Sequence, residues 1–122
     1  MADILDDKEL WRMHTDGDGN AEKVLNIYRE WKRKNPDGGG ELRIYYCGLQ
    51  SIPPEIGRLT SLKFLYCSGN ELRELPQEIG GLTSLIYLDC SNNKLRELPS
   101  EIGKLTSLTD LDCSGNELRE LP

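Results

Sequence analysis

One phenylalanine, one histidine and two tryptophans are thinly spread over 122 residues, and no apolar run approaches 18 residues. Without such a run no membrane-spanning helix is expected. The amino terminus also lacks the charged, apolar and small-residue blocks of a signal peptide. Basic residues are outnumbered, 15 against 21 acidic, giving a net charge of −6. No basic stripe forms, so the electrostatic footprint of a nucleic-acid or anionic-membrane binder is missing. A soluble, cytoplasmic, non-membrane chain with no nucleic-acid partner is the expectation.

Catalytic signatures are equally scarce. Gly103-Lys104 has no glycine-rich lead-in and is followed by Leu105, which is not a phosphate loop. Gly38-Gly39-Gly40 opens no helix and reads as a flexible joint. His14 has no Cys or Ser at a motif spacing, and reads as a surface or cap-packing residue. The paired carboxylates Glu71/Glu74 and Glu117/Glu120 recur by copying and read as a charge-decorated turn rather than an acid/base pair. No enzyme and no cofactor are expected.

What the chain does have is a copied block. Leu59-Thr-Ser-Leu62-Lys-Phe-Leu65-Tyr-Cys67-Ser-Gly-Asn70-Glu-Leu72-Arg-Glu-Leu75-Pro76 returns at 82–99 and again at 105–122, each copy starting 23 residues after the last. A fixed period in that range signals a stacked solenoid. Leu65 and Cys67 lie two apart, as one face of a short strand requires. Asn70 follows, and its stacked copies Asn93 and Asn116 predict a buried polar ladder whose members satisfy one another. Leu72 and Leu75 return to the core. Pro76 stops the extended run, and the apolar spacing of three in residues 77–85 suits a 3-10 or short helical turn. A degenerate fourth coil precedes these, from Leu42-Arg-Ile44 to Ile52-Pro53, with Cys47 at the ladder position.

The frame L-x-x-L-x-x-L-x-C-x-x-N-x-L-x-x-L-P resembles the leucine-rich repeat, over residues 41–122. The 23-residue length and the P-x-E-I-G-x-L-T-S-L outer segment look most similar to intracellular repeats of the plant Ras-group and bacterial Roco type. The resemblance implies an α/β solenoid: a short curved parallel sheet, irregular or 3-10 outer turns, and a helical amino-terminal cap. It also implies about four coils, the last incomplete, and partner binding on the concave sheet face. The family's N/C alternative allows Cys47 at the ladder slot.

The cysteines fit a reducing compartment. Cys67, Cys90 and Cys113 share an inward slot in successive coils, and in-register side chains about 4.8 Å apart do not reach disulfide geometry without distortion. Extracellular members of the family usually carry disulfide-bonded end caps, whereas no cysteine lies in residues 1–40 or after Cys113. A thiolate metal column is the alternative. The slots lack His or carboxylate partners, so the thiols read as core filler.

Residues 1–40 do not repeat and read as the cap. Asp6 or Asp7 can cap a helix from Lys8 to His14, and Asp18 or Asn20 a second from Ala21 to about Lys34. The second places Ala21, Val24, Tyr28 and Trp31 on one face, expected to lie over the first coil, with Leu25 and Ile27 flanking. Asp16-x-Asp18-x-Asn20 is similar to the opening of a calcium-binding EF-hand loop. That loop needs Gly at its sixth position and Glu at its twelfth, where this chain has Ala21 and Ile27. Calcium is the weaker reading, and a turn with helix-capping side chains the stronger.

Between the first two full coils 16 of 23 positions are identical, and the differences fall at 63, 64, 66, 69, 71, 77 and 81. With Leu65 and Cys67 inward, Phe64, Tyr66 and Ser68 point outward. Across the coils the concave face is then Glu41, Arg43, Tyr45; Phe64, Tyr66, Ser68; Tyr87, Asp89, Ser91; and Asp110, Asp112, Ser114. A patch of exposed aromatics suits a protein or peptide partner, and the acid that grows toward Asp112 favours a basic one. Free drift of solvent-facing slots is the competing explanation. The carboxyl-terminal coil, with Leu118 and Leu121 beside open core, predicts self-association of two copies through that end. Three function classes stay open: a non-enzymatic protein-interaction module, a regulatory array from a larger signalling protein such as a Roco-type GTPase, and an engineered scaffold without an evolved ligand.

Overall fold

Apolar residues two apart demand extended backbone, and each copied block supplies a three-residue strand. In the computed structural model of the chain, which describes residues 3–119, the strands are β1 (Glu41–Arg43), β2 (Phe64–Tyr66), β3 (Tyr87–Asp89) and β4 (Asp110–Asp112). They form one parallel sheet in the order β1-β2-β3-β4. Register follows the 23-residue period: Leu42 opposite Leu65, Leu65 opposite Leu88, Leu88 opposite Leu111. Each strand is shorter than a run reaching Asn70, yet the inter-coil bonding continues past it, with Cys67 N–H donating to Asp89 O and Cys90 N–H to Asp112 O (2.8 and 2.9 Å).

After each strand the chain turns back and makes a 3-10 turn on the outer side: Pro54–Arg58, Gln77–Gly81 and Ser100–Lys104. A proline precedes each turn (Pro53, Pro76, Pro99), and each carries an Ile-Gly pair within it. Gly57 and Gly81 let successive turns stack closely, since a Cβ on Gly57 would run into Glu78 O and one on Gly81 into Gly57 O. Leu42, Leu62, Leu65, Leu72, Leu82, Leu85, Leu88 and Leu95 are fully buried between sheet and outer turns.

The asparagines bond differently from the ladder read in the sequence. Asn70 Oδ1 accepts from the N–H groups of Cys47 and Leu49 (2.9 and 3.1 Å). Its Nδ2 donates to Ile44 O, Cys67 O and Ser68 O (3.0, 2.9 and 3.3 Å). Asn93 and Asn116 repeat the donated bonds one and two coils on, and accept from one N–H group each, Leu72 and Leu95 respectively. Each amide therefore stitches the backbone of its own coil to the coil before it, rather than bonding to the next asparagine. At the same slot Cys47 Sγ donates to Tyr45 O (3.3 Å).

The cap is two helices, α1 (Lys8–Met13) and α2 (Asp18–Lys34). Asp7 caps α1 by accepting from Glu9 N–H. α2 starts three residues before the expected Ala21, with Gly17 at the cap position and no side-chain cap. The capping roles expected of Asp18 and Asn20 are therefore not taken: both are helical. Ala21, Val24, Leu25, Tyr28 and Trp31 are buried as the period of 3.6 requires, and Ile27 is half-buried. Trp31 Nε1 donates to Gly39 O (2.9 Å) and Trp11 Nε1 to Leu5 O (2.7 Å). Gly38 and Gly40 adopt φ of 81° and 73°, and Gly40 O accepts from Lys63 N–H and Phe64 N–H (3.2 and 3.1 Å). The glycine run is thus a bonded turn that starts the sheet, not a flexible joint. A short antiparallel bridge between Thr15 and Leu49 fastens the interhelical segment to the first coil.

Candidate partner-binding surface

The strand face opposite the core holds two rows of side chains in register. One row is Glu41, Phe64, Tyr87, Asp110; the other is Arg43, Tyr66, Asp89, Asp112. All eight residues read from the sequence as partner-binding (Arg43, Tyr45, Phe64, Tyr66, Tyr87, Asp89, Asp110, Asp112) lie on this face or at its rim. They interact with one another. The Arg43 guanidinium sits 5.5 Å from the Tyr66 ring centroid, and Tyr66 meets Tyr87 edge-on at 5.5 Å. Phe64, Tyr66 and Tyr87 are half-buried rather than fully exposed, while Tyr45 is exposed.

Charge is divided along the sheet. Arg43 pairs with Glu41 (2.5 Å), which raises its already high pKa. At the other end Asp89 and Asp112 each hold the following serine, Ser91 Oγ at 2.6 Å and Ser114 Oγ at 2.7 Å. Those serine bonds lower the Asp112 pKa. Asp89, Asp110 and Asp112 make no ion pair among the described residues, where the ion pairs belong to the cap and to Arg43. The Tyr87 hydroxyl is pushed up by desolvation first and then by the neighbouring carboxylates, Asp89 foremost.

Three residues that sequence reasoning passed over extend the surface: Lys23, Ile27 and Tyr46. Tyr46 follows Tyr45 in a left-handed turn (φ 52°), meets it edge-on at 5.9 Å, and is 62 % exposed. Lys23 Nζ donates to Tyr46 O (2.6 Å). The signal available was the pair of adjacent tyrosines, but alternation assigns only one of two neighbours to a sheet face.

The remaining candidates separate from this surface. Asp16, Asp18 and Asn20 do not form a loop of converging oxygens. Asp18 pairs with Arg12 (2.7 Å), Asp16 accepts from the Asn20 amide, and Asp18 and Asn20 are in the first turn of α2. Among the described residues no three His, Cys, Asp or Glu side chains gather into a metal-binding group. The four cysteines are unbridged; Cys47, Cys67 and Cys90 are buried and Cys113 half-buried. Burial pushes the Cys67 thiol well up and the Cys90 thiol up to about 12, which makes them packing groups rather than nucleophiles. His14 Nδ1 lies 2.6 Å from Ser51 Oγ at the junction of cap and first coil. A cleft of about 770 Å³ lies on the outer side between the 3-10 turns, with Glu55, Arg58, Glu78, Glu101 and Lys104 on its walls. Among the described residues no helix is long and apolar enough to cross a membrane.

Comparison with known proteins agrees with this geometry. A family profile described as a leucine-rich repeat region matches residues 41–121. No curated protein sequence matches the chain. Among solved structures, a leucine-rich-repeat protein of Leptospira interrogans is 46% identical over 61% of this chain and 19% of its own, with a TM-score of 0.60. The leucine-rich repeat domain of the type III effector XopL is 25% identical over 94% of this chain and 41% of its own, with a TM-score of 0.72. YopM from Yersinia enterocolitica is 26% identical over 93% of this chain and 29% of its own, with a TM-score of 0.58. The chain thus spans less than half the length of each of these proteins. Leucine-rich repeats are in general a non-enzymatic protein-interaction fold. With its in-register strands, asparagine-stitched coils and matching profile, the chain belongs to the leucine-rich repeat family.

Proposed function

We propose that the chain is a protein-binding module whose partner docks on the concave strand face. The observation that carries this reading is the cluster Arg43–Tyr66–Tyr87, which joins the two rows: a guanidinium lies over one tyrosine ring and that ring meets the second edge-on, beside three carboxylates without ion-pair partners among the described residues. Tyrosine and arginine are the residues that most often dominate interface energies. The test is affinity capture with the chain and with a Phe64→Ser/Tyr66→Ser/Tyr87→Ser variant, against an outer-face control, Gln77→Ala/Glu78→Ala. A partner held by the chain and the control and lost by the strand-face variant supports the reading. Equal capture by all three overturns it.

Two further elements belong to this proposal. The free, buried thiols support a reducing, cytoplasmic setting. Leu111 is 36 % exposed where Leu42, Leu65 and Leu88 are at 0 %, which supports self-association through the β4 end by a second copy. Sedimentation that finds only monomer at high micromolar concentration would overturn that part. The small share of each similar protein that the chain spans favours a second reading, a regulatory array within a larger signalling protein. A phosphate-loop sequence downstream of residue 122 in the parent gene would decide for it.

A further inference from the structure

A cleft of about 480 Å³ lies where the cap meets the first coil, off the end of the strand face. Lys23, Ile27 and Glu30 of α2 form one wall, and Arg43, Tyr45 and Tyr46 the other. Its floor and sides are mainly apolar, from Ile27 and the two tyrosine rings, and its volume suits an inserted side chain with adjoining backbone. The charge around it is positive in balance. Glu30, on the cleft wall, is already paired with Arg33 (2.6 Å) and Lys34 (3.6 Å), and Glu41 is held by Arg43. Lys23 spends one donor on Tyr46 O and has no carboxylate within ion-pair distance among the described residues. At the far end of the same face stand Asp89, Asp110 and Asp112.

From this we infer that the seam cleft is the anchor site for one end of an extended peptide of opposed charge. The segment carries an apolar or aromatic residue next to an acidic one, which enter the cleft beside Lys23 and Arg43, and basic residues that reach Asp89, Asp110 and Asp112. This inference rests on the concave-face reading and adds to it the cap helix, the polarity of the ligand and its length. From β1 to β4 is three strand spacings of about 4.8 Å, roughly 14 Å. An extended chain covers that in about four to five residues at roughly 3.3 Å each. Charge complementarity at both ends then fixes the direction in which the segment lies, because the reversed placement sets acid on acid and base on base.

The test selects a displayed library of random linear peptides against the chain and measures the enriched peptides by fluorescence anisotropy. The expected motif has an acidic–apolar pair and, about four to five residues away, a basic pair. Lys23→Glu is expected to weaken these peptides about tenfold, while Lys23→Gln, which removes the charge without reversing it, has a smaller effect. Asn26→Trp, on an exposed position at the cleft wall, fills the cleft without touching the core and is expected to abolish insertion. Enriched peptides that depend on Tyr66 and Tyr87 but ignore Lys23→Glu and Asn26→Trp overturn the cleft and leave the concave-face reading standing. Enriched peptides indifferent to every one of these variants, or no enrichment at all, overturn both.

Discussion

At position 70 a single amide makes five hydrogen bonds to backbone, two accepted and three donated, inside a core of Leu and Cys. Removing it orphans the buried N–H groups of Cys47 and Leu49, and each such loss costs roughly 1–3 kcal/mol. Asn70→Ala is therefore expected to cost about 4 kcal/mol in urea unfolding. Asn116→Ala, whose Oδ1 accepts from Leu95 N–H alone among the described residues and in a part-buried site, is expected to cost about 1 kcal/mol. Equal losses would mean that the stitching contributes nothing beyond propensity. Cys47 fits its slot for the converse reason: what precedes it is the helical cap, with no earlier coil to offer an asparagine its N–H donors. The recurrence of Asn was legible in the sequence, but its partners were not, because they are backbone groups that carry no letter. The left-handed turn was less legible still. Tyr46, Gly69, Asn92 and Gly115 share it, with φ of 52°, 68°, 53° and 68°. The Tyr46 ring occupies the space a Gly69 Cβ would need, and Asn92 Oδ1 that of Gly115. Side chain and glycine alternate because each side chain lies over the next coil, a pairing invisible to a comparison that treats position 69 as surface drift.

Among the elements, the cap decides how the sheet begins. Trp31 is 4 % exposed, and its indole N–H is spent on Gly39 O inside the turn that leads to β1. Trp31→Ala removes a large buried ring and leaves that carbonyl unpaired, so a loss of about 3–5 kcal/mol is expected. Protease susceptibility should rise first at residues 35–40, where a cap unrelated to sheet formation would leave them protected. The cap is also fastened through His14, whose carbonyl accepts from Gln50 N–H (2.8 Å) and whose ring meets Ser51 Oγ. Burial lowers the His14 pKa below its ordinary 6.5, with Glu55 opposing. A histidine with a folded pKa below the unfolded one binds fewer protons when folded. It therefore lends full stability above about 6.5, and that share is lost as pH falls from 6.5 through the lowered value. His14→Gln should flatten this part of the pH profile read by tryptophan fluorescence, and an unchanged difference between the two proteins from about pH 7 to 5 would remove the histidine from the account. The face of α2 was legible from its period of apolar residues. Its start was not: Asp18 and Asn20 read as capping letters, yet the helix begins after Gly17, and Asp18 instead pairs with Arg12 of α1.

For the molecule as a whole, each coil touches only its neighbours, so stability is a sum of coil terms and interface terms. The interior coils are satisfied on both sides: Leu65 and Leu88 are fully buried, and Cys67 and Cys90 bond onward to the following strand. The β4 coil has a neighbour on one side among the described residues, and its Leu111 is exposed while Leu108, Cys113 and Leu118 are half-buried. Leu121 and Pro122, expected at the open end of this coil, lie outside the described residues. In amide exchange of this 122-residue chain, the N–H of Cys67 should therefore exchange near the global unfolding rate and that of Leu111 considerably faster. Appending one more copy of the sequence 100–122 after residue 122 supplies the missing neighbour. Covering Leu111 with its half-buried neighbours gains roughly 1.5–3 kcal/mol per fully buried leucine, so unfolding should shift upward by several kcal/mol. The denaturant slope should also rise with the added surface. The same addition should bring the amide of Leu111 to the protection of Leu88, while any self-association through the coil end should persist, because the appended copy presents the same open edge. If stability and slope rise but the Leu111 amide exchanges as fast as before, the appended coil does not stack on β4 and the additive account of the coils fails.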